Sequence, residues 1–292
     1  MPRLRLATAL VSLLFGTIAY ANHPVLVEGT CDSPVFGTTL VSPGTCGDVD
    51  GDGRIGTAED TDGADRIFGT LSAAVGPGTG AAAGTGANLN GTVTIVGSGR
   101  HTLPTSLAIP DAASGPTLLT IQAAPGVVAL IDAVAQGDAT ANNNLRQNIA
   151  GFHITATGAD DRIVLRNLTF RNWSEAVRVN GGARVVIENC VFEHNIDYGV
   201  RVMGSANVVV QDSQFFETGW RFGVTTTPVA TPGTAIAYEG SSTGLVSKSV
   251  ILNSVASSIS STSSGGATAV RYFQVVLGGN GSGIVNATAI GF

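Results

Sequence analysis

Charged residues are scarce in this sequence of 292 residues. Asp, Glu, Lys and Arg make up 12% of it, about half the usual share, and Lys248 is the only lysine. From residue 66 onward twelve acidic residues face twelve basic ones, so this part carries no net charge. It therefore has no overall field that would attract nucleic acid. The hydrophobic share of 43% and the mean hydropathy of +0.29 argue against intrinsic disorder.

Long apolar runs are also lacking. No stretch approaches the roughly 20 consecutive apolar residues that a transmembrane helix requires, so we expect no transmembrane segment. The first 21 residues instead have the pattern of an export signal: basic Arg3 and Arg5, an apolar stretch over residues 6–18, and the cleavage motif Ala19-Tyr20-Ala21. An uncleaved anchor is the alternative. We expect a mature chain that begins at Asn22 and is secreted or held at the cell surface.

Cysteine is rare, with three residues, and none of them form a C-x-x-C pair. The spacing argues against a metal site made from cysteines. Cys31 and Cys46 are close in sequence, and in an oxidising compartment they are expected to form a disulfide. Cys190 lies inside a hydrophobic repeat and is expected to be a buried free thiol.

The negative charge is concentrated between residues 22 and 65, where nine acidic residues face Arg54 alone. Residues 48–59 match the twelve-residue calcium loop of EF-hand proteins, with Gly53 at the position of the sharp turn. Four carboxylates and one backbone carbonyl are the predicted Ca²⁺ ligands: Asp48, Asp50, Asp52, Glu59 and the carbonyl of Arg54. The sequence thus predicts Ca²⁺ as a cofactor.

The surroundings of the loop indicate what the calcium does. Pro43, Gly44 and Gly47 make a helix before the loop improbable, and no second loop follows. The loop resembles the lone extracellular calcium loops of the dockerin type, and not those of calmodulin-like switches. Residues 22–64 are therefore predicted to be an N-terminal segment held together by calcium and a disulfide.

Three repeats with a spacing of 22 or 23 residues occupy residues 162–225. Superposed, they give an aliphatic, an amide-type and an aromatic column: Leu165, Ile187 and Val210; Asn167, Asn189 and Asp212; Phe170, Phe192 and Phe215. Each repeat contains short β-branched segments divided by Gly and Asn turns, and no helical period. One such coil cannot bury its own apolar face, so it must stack on the next coil.

These repeats resemble the parallel β-helix repeat of the pectin-lyase-like superfamily, and the amide column resembles its asparagine ladders. The resemblance implies an all-β, right-handed parallel β-helix over residues 65–292. Apolar residues at helical spacing predict a short cap helix over residues 65–75. No closing cap is evident near Phe292, which allows end-to-end self-association through the C-terminal coil.

Polysaccharide lyases and hydrolases share this fold, but the sequence lacks most of their motifs. Of the polygalacturonase set only the pair Asp160-Asp161 is present, and a turn explains it equally well. No continuous column of carboxylates suits a pectate lyase. Trp173 and Trp220 align with Ile196, which favours a hydrophobic interior stack over a platform for sugar rings.

The turn between residues 171 and 179 and its equivalents form the surface richest in functional side chains. Alignment stacks Arg178 on Arg201 and Asp197 on Arg221, with His194 nearby. These five residues are the candidates for substrate binding, and the arginine pair suits an acidic glycan unless a glutamate neutralises it. His194 is an alternative general acid or base, and Asp197 with a neighbouring glutamate is an alternative hydrolytic pair.

The sequence thus favours an exported, calcium-stabilised protein that contacts extracellular polysaccharide or a cell-surface partner without catalysis. One alternative is a polysaccharide lyase or glycoside hydrolase that acts on an acidic glycan. The other is a structural adhesin or filament subunit.

Overall fold

A computed structural model describes residues 25–27, 66–68, 71–75, 89–103, 105–133, 150–221, 229–230, 233–262 and 269–285. The predicted export signal, the Cys31–Cys46 disulfide and the calcium loop at residues 48–59 lie outside these ranges. Those three predictions therefore stay predictions.

The described residues are almost entirely β-structure. In chain order the elements are β1 (Val25–Val27), β2 (Arg66–Phe68), α1 (Leu71–Val75), β3 (Asn90–Ile95), β4 (Gly99–Thr102), β5 (Leu107–Ile109), β6 (Leu118–Ala123), β7 (Ala129–Asp132), β8 (Ala150–Ile154), β9 (Arg162–Arg166), β10 (Leu168–Arg171), β11 (Glu175–Gly181), β12 (Arg184–Glu188), β13 (Val191–Glu193), β14 (Tyr198–Gly204), β15 (Asn207–Gln211), β16 (Gln214–Phe216), β17 (Trp220–Arg221), β18 (Val229–Ala230), β19 (Thr234–Glu239), β20 (Thr243–Ser247), β21 (Val250–Leu252), β22 (Ser257–Thr262), β23 (Ala269–Phe273), β24 (Val276–Gly278) and β25 (Ser282–Val285).

Three parallel sheets run along the molecule. The first has the order β2-β1-β3-β6-β9-β12-β15-β20-β23, the second β24-β21-β16-β13-β10-β7-β4, and the third β25-β22-β19-β14-β11-β8-β5. From β3 onward, successive coils contribute one strand to each sheet, so each strand pairs with its equivalent in the next coil; β17 and β18 form a separate two-stranded sheet. Arg184 pairs with Arg162 on one side and with Asn207 on the other, which matches the predicted spacing of 22 and 23 residues. The predicted parallel β-helix is confirmed.

Side chains that alternate inward along the strands fill the interior. The rings of Phe170, Phe192 and Phe215 stack along the axis, with centroids 5.1 and 4.5 Å apart and nearly parallel planes. Phe152 meets the end of the stack edge-on at 5.0 Å. Each ring is fully buried, and such burial stabilises the fold by about 1.5–3 kcal/mol per side chain.

The predicted interior positions of a tryptophan and a cysteine are confirmed. Trp173 and Ile196 are buried, and the indole Nε1 of Trp173 donates a hydrogen bond of 3.0 Å to the carbonyl of Ile131. Trp173 therefore offers no platform for sugar rings. Cys190 is free and buried, and burial raises the pKa of its thiol to about 12.

From residue 162 onward, two corners of each coil turn through left-handed backbone conformations. Asn167 and Asn189 follow strands of the first sheet with φ angles of 58° and 51°, and asparagine tolerates this conformation better than most residues. The amide of Asn189 donates to the side-chain oxygen of Asn167 at 2.8 Å, which is one rung of the predicted ladder. The column continues as Asp212, Lys248 and Gln274.

The predicted cap helix over residues 65–75 is shorter than expected. Residues Arg66–Phe68 form β2, which pairs with β1, and the helix occupies only Leu71–Val75. Gly69 lies between the two elements and disfavours one continuous helix. Within the described ranges, no helix has the length and apolar character needed to cross a membrane.

Candidate ligand-binding strip on the third sheet

The outer face of the third sheet carries the predicted arginine pair. Arg178 on β11 pairs in register with Arg201 on β14, and with His153 on the other side, on β8. Val177 and Val179, which flank Arg178, are buried in the interior. Strand alternation therefore turns the arginines outward, as the sequence predicts.

A buried carboxylate forms ion pairs with both arginines. Glu175 is only 4% exposed; one of its oxygens accepts a hydrogen bond from Nε of Arg178, and the other accepts one from Nη1 of Arg201 at 3.0 Å. Stacked like charges destabilise a sheet unless something compensates them. Glu175 is therefore a glutamate that compensates the arginine pair, which was the alternative to binding of an acidic glycan.

A second carboxylate completes the cluster. Glu239 on β19 accepts two hydrogen bonds from Arg201, at 3.1 Å from Nε and 3.0 Å from Nη2. The guanidinium carbon of Arg201 lies 4.9 Å from the centre of the Tyr198 ring, a cation–π contact. We call the following residues the Arg–Glu strip: His153, Glu175, Arg178, Tyr198, Arg201 and Glu239.

The strip shifts the ionisation of its members. Burial opposes the charge on Arg201, yet hydrogen bonds to Glu239 and Glu175 raise its pKa. The hydrogen bond to Glu175 likewise raises the pKa of Arg178. Burial, followed by the positive charge of Arg178, lowers the pKa of His153, so its imidazole is held neutral. Nε2 of His153 is buried and has no hydrogen-bond partner within the described residues.

His194 lies at a neighbouring corner, where its side chain contacts Glu217. Aligned backward from Val179 and Val202, the repeats predict His194 level with Arg171, but Arg171 pairs in register with Glu193. His194 Nε2 lies 2.7 Å from Oε2 of Glu217 in the next coil. The misalignment arises because the repeat that contains His194 has one more residue at this corner than the repeat before it.

The predicted stacking of Asp197 on Arg221 is wrong. Arg221 lies in β17, which pairs antiparallel with β18 in a separate two-stranded sheet, and Tyr198 pairs with Thr234. Asp197 accepts a hydrogen bond of 2.5 Å from the hydroxyl of Ser174. The third coil is longer than the first two, with Asn207 and Thr243 in register, and the additional residues are accommodated at this corner.

A buried carboxylate on the second sheet was missed by the sequence analysis. Asp132 has no exposed side-chain surface and contacts Arg171 at 3.0 Å, Arg100 at 3.4 Å and the amide of Asn172 at 3.0 Å. Only the coil register brings these residues together, because Asp132 and Arg171 are 39 positions apart. The repeat pattern is weak in the coil that contains Asp132, so the sequence does not show that Asp132 is level with Arg171.

An open groove of about 390 Å³ adjoins the amide ladder. It lies between the turn at residues 124–128 and the corners at Asn167 and Asn189. Val128 at its rim is 65% exposed. The lining contains no ionisable side chain, so the groove itself supplies no group for acid–base chemistry.

The Asp160-Asp161 pair in the sequence has a structural explanation. Asp161 accepts hydrogen bonds from the backbone N–H groups of Thr117 and Gly158, each at 2.7 Å, so it stabilises a turn. The described residues contain no cluster of three or more His, Cys, Asp or Glu side chains suited to a metal ion.

Comparison with known proteins agrees with this architecture. The family model described as right-handed beta helix region matches residues 134–286. No curated protein and no solved structure matches the chain. Because the family match covers more than half of the sequence and the three parallel sheets have the corresponding topology, the chain belongs to the right-handed β-helix family.

Proposed function

We propose that this protein is exported, is stabilised by calcium at its N-terminus, and binds extracellular polysaccharide along the Arg–Glu strip without cleaving it. The observation that carries the proposal is the strip itself. Planar hydrogen-bonding side chains lie on consecutive coils and are held in place by shared ion pairs. Export and calcium binding rest on the sequence patterns of residues 1–21 and 48–59.

The geometry of the strip suits a long ligand. Parallel coils repeat about every 4.8 Å, so equivalent side chains are presented at regular intervals along the solenoid. The side chains of Arg178, Arg201 and Glu239 are 22%, 28% and 27% exposed, so each retains surface for a ligand. Their mutual contacts fix their orientation before binding, which lowers the entropic cost of association.

The ion pairing argues against hydrolysis at the strip. Glycoside hydrolysis requires two carboxyl groups that flank the scissile bond and exchange protons with it. Glu175 and Glu239 are both bound to arginines, so their oxygens are already engaged in ion pairs within the protein.

A second candidate function is polysaccharide cleavage at the corner that carries His194. Its imidazole is hydrogen-bonded to Glu217 at 2.7 Å, and both side chains are about one-third exposed. A histidine oriented by a carboxylate is suited to proton transfer. This pair is the specific observation that favours a lyase or hydrolase.

A binding assay with matched variants tests the proposal. The mature protein, with calcium present, is applied to immobilised neutral and uronate-rich polysaccharides, and retention is measured together with new reducing ends and unsaturated products. Arg201→Gln should lower retention, whereas Arg166→Gln, which disrupts the Arg166–Glu188 pair on the first sheet, should not. Products that disappear with His194→Gln would establish the enzymatic alternative. Absence of both retention and products would refute the proposal.

A further inference from the structure

The Arg–Glu strip carries no net charge. Its two guanidinium groups are matched by two carboxylates, and its histidine is held neutral by burial. A site for carboxylate or sulfate groups keeps unpaired cationic donors for the ligand. Here all three kinds of guanidinium nitrogen of Arg201 already bind carboxylates of the protein.

The remaining hydrogen-bonding capacity is mixed. Within the described residues the two terminal nitrogens of Arg178 make no hydrogen bond, and only its Nε is bound to Glu175. These nitrogens are donors. The carboxylate oxygens of Glu239, whose side chain is 27% exposed, retain lone pairs beyond the bonds that they accept from Arg201, so they are acceptors. A complementary ligand must therefore both donate and accept hydrogen bonds.

An unsatisfied atom lies beside these groups. His153 precedes Arg178 in the same column, and its Nε2 is buried without a partner in the described part of the chain. Buried polar atoms in folded proteins nearly always have a partner, so an orphan calls for an explanation such as a bound ligand or water. A hydroxyl group serves as partner to either tautomer of the imidazole, because it donates and accepts.

We infer that the Arg–Glu strip recognises a neutral, hydroxyl-rich saccharide, and not the acidic glycan that the arginine pair suggests from sequence. This inference rests on the proposed polysaccharide-binding function and specifies its ligand class. Sugar hydroxyls satisfy the donors of Arg178, the acceptors of Glu239 and the orphan nitrogen of His153. Carboxylate and sulfate groups only accept, and they would approach the two glutamates with a like charge.

The test compares two neutral polysaccharides, mixed-linkage β-glucan and galactomannan, with polygalacturonate and alginate at low and high salt. The parent protein should be retained on a neutral polymer, with little effect of salt, and not on the acidic polymers. Glu175→Gln leaves the paired arginines in excess by one positive charge. This variant should lose about tenfold in affinity for the neutral polymer and gain salt-sensitive retention on polygalacturonate.

Two further variants separate binding from folding. Glu188→Gln removes an ion-paired glutamate outside the strip and should leave both profiles unchanged. Arg178→Gln removes the free donors at a side chain that is 22% exposed; it should weaken neutral binding with a circular dichroism spectrum like that of the parent.

The outcomes distinguish this inference from the proposed function. Salt-sensitive binding of the parent to polygalacturonate, lost in Arg178→Gln, would overturn the neutral ligand class while polysaccharide binding stands. Neutral binding that survives both Glu175→Gln and Arg178→Gln would place the ligand on another surface and overturn the assignment to the strip. A parent protein that binds none of the four polymers would overturn the proposed function as well.

Discussion

The interior phenylalanine stack allows the inward and outward positions of the second sheet to be tested by one pair of substitutions. Phe192 is fully buried and stacks on Phe170 and Phe215 at 5.1 and 4.5 Å. Replacement of a core phenylalanine by alanine costs about 3–5 kcal/mol. The strands on either side are held by ladder hydrogen bonds to neighbouring coils and cannot collapse into the cavity. We therefore expect Phe192→Ala to cost about 4 kcal/mol, in the middle of that range.

The assay is urea unfolding followed by circular dichroism, in which the loss appears as a lower midpoint at an unchanged slope. Phe216→Ala is the matched control, because Phe216 lies on the adjacent column of the same sheet, faces outward and is only partly buried. Its loss should cost about 1 kcal/mol, since only part of its area is removed from water. Equal losses for the two variants, or a larger loss for Phe216→Ala, would refute the assignment of the faces.

Three more predictions concern calcium, thiol chemistry and pH. EDTA or Asp48→Ala should lower the melting temperature, because a ligand bound only by the folded state stabilises it by about 2.7 kcal/mol at a hundredfold excess over Kd; unchanged melting with and without calcium would contradict a structural role. Mass spectrometry of alkylated, unreduced protein should show a Cys31–Cys46 link, and labelling of Cys190, which is buried, should require denaturant; rapid labelling in the native protein would contradict its burial. Burial lowers the pKa of His153 in the folded state from its ordinary value of 6.5. Below that pH the unfolded state therefore binds a proton more readily than the folded state, and the free energy of unfolding should decrease as the pH falls. Melting curves of His153→Gln should therefore vary less between neutral and mildly acidic pH, and an unchanged pH dependence would refute the assignment.

Local sequence pattern determined the architecture of this protein. Leu165, Ile187 and Val210 form one predicted column, and all three are fully buried. Side chains alternate strictly along a strand, and equal coil lengths bring equivalent residues into register, so repeat spacing alone predicts which residues face inward. The sequence likewise predicts that Arg178 and Arg201 stack on the outer face, because each lies between two inward-facing valines in the same alternating pattern.

Contacts at the corners were predicted poorly, for the same reason. The additional residue in the second repeat brings Glu193, and not His194, level with Arg171, and the additional residues of the third repeat place Arg221 outside the column of Asp197. Strand hydrogen bonds keep the sheets in register, so insertions are accommodated where no such bonds constrain the chain. Sequence spacing reveals the total length of a coil but not the corner at which the additional residues lie.

Only the tertiary structure decided which buried side chains satisfy one another's volume, hydrogen bonds and charge across neighbouring coils. Tyr238 is fully buried, and its hydroxyl donates a hydrogen bond to the carbonyl of Val208. Its ring packs beside Gly244, where a side chain would clash with the same carbonyl. Glu175 in the same way lies between two arginines from different coils. The sequence determines which residues point inward or outward, because that property is local. Which of them meet depends on side-chain volume, hydrogen bonding and charge across neighbouring coils, and the folded chain alone brings these together.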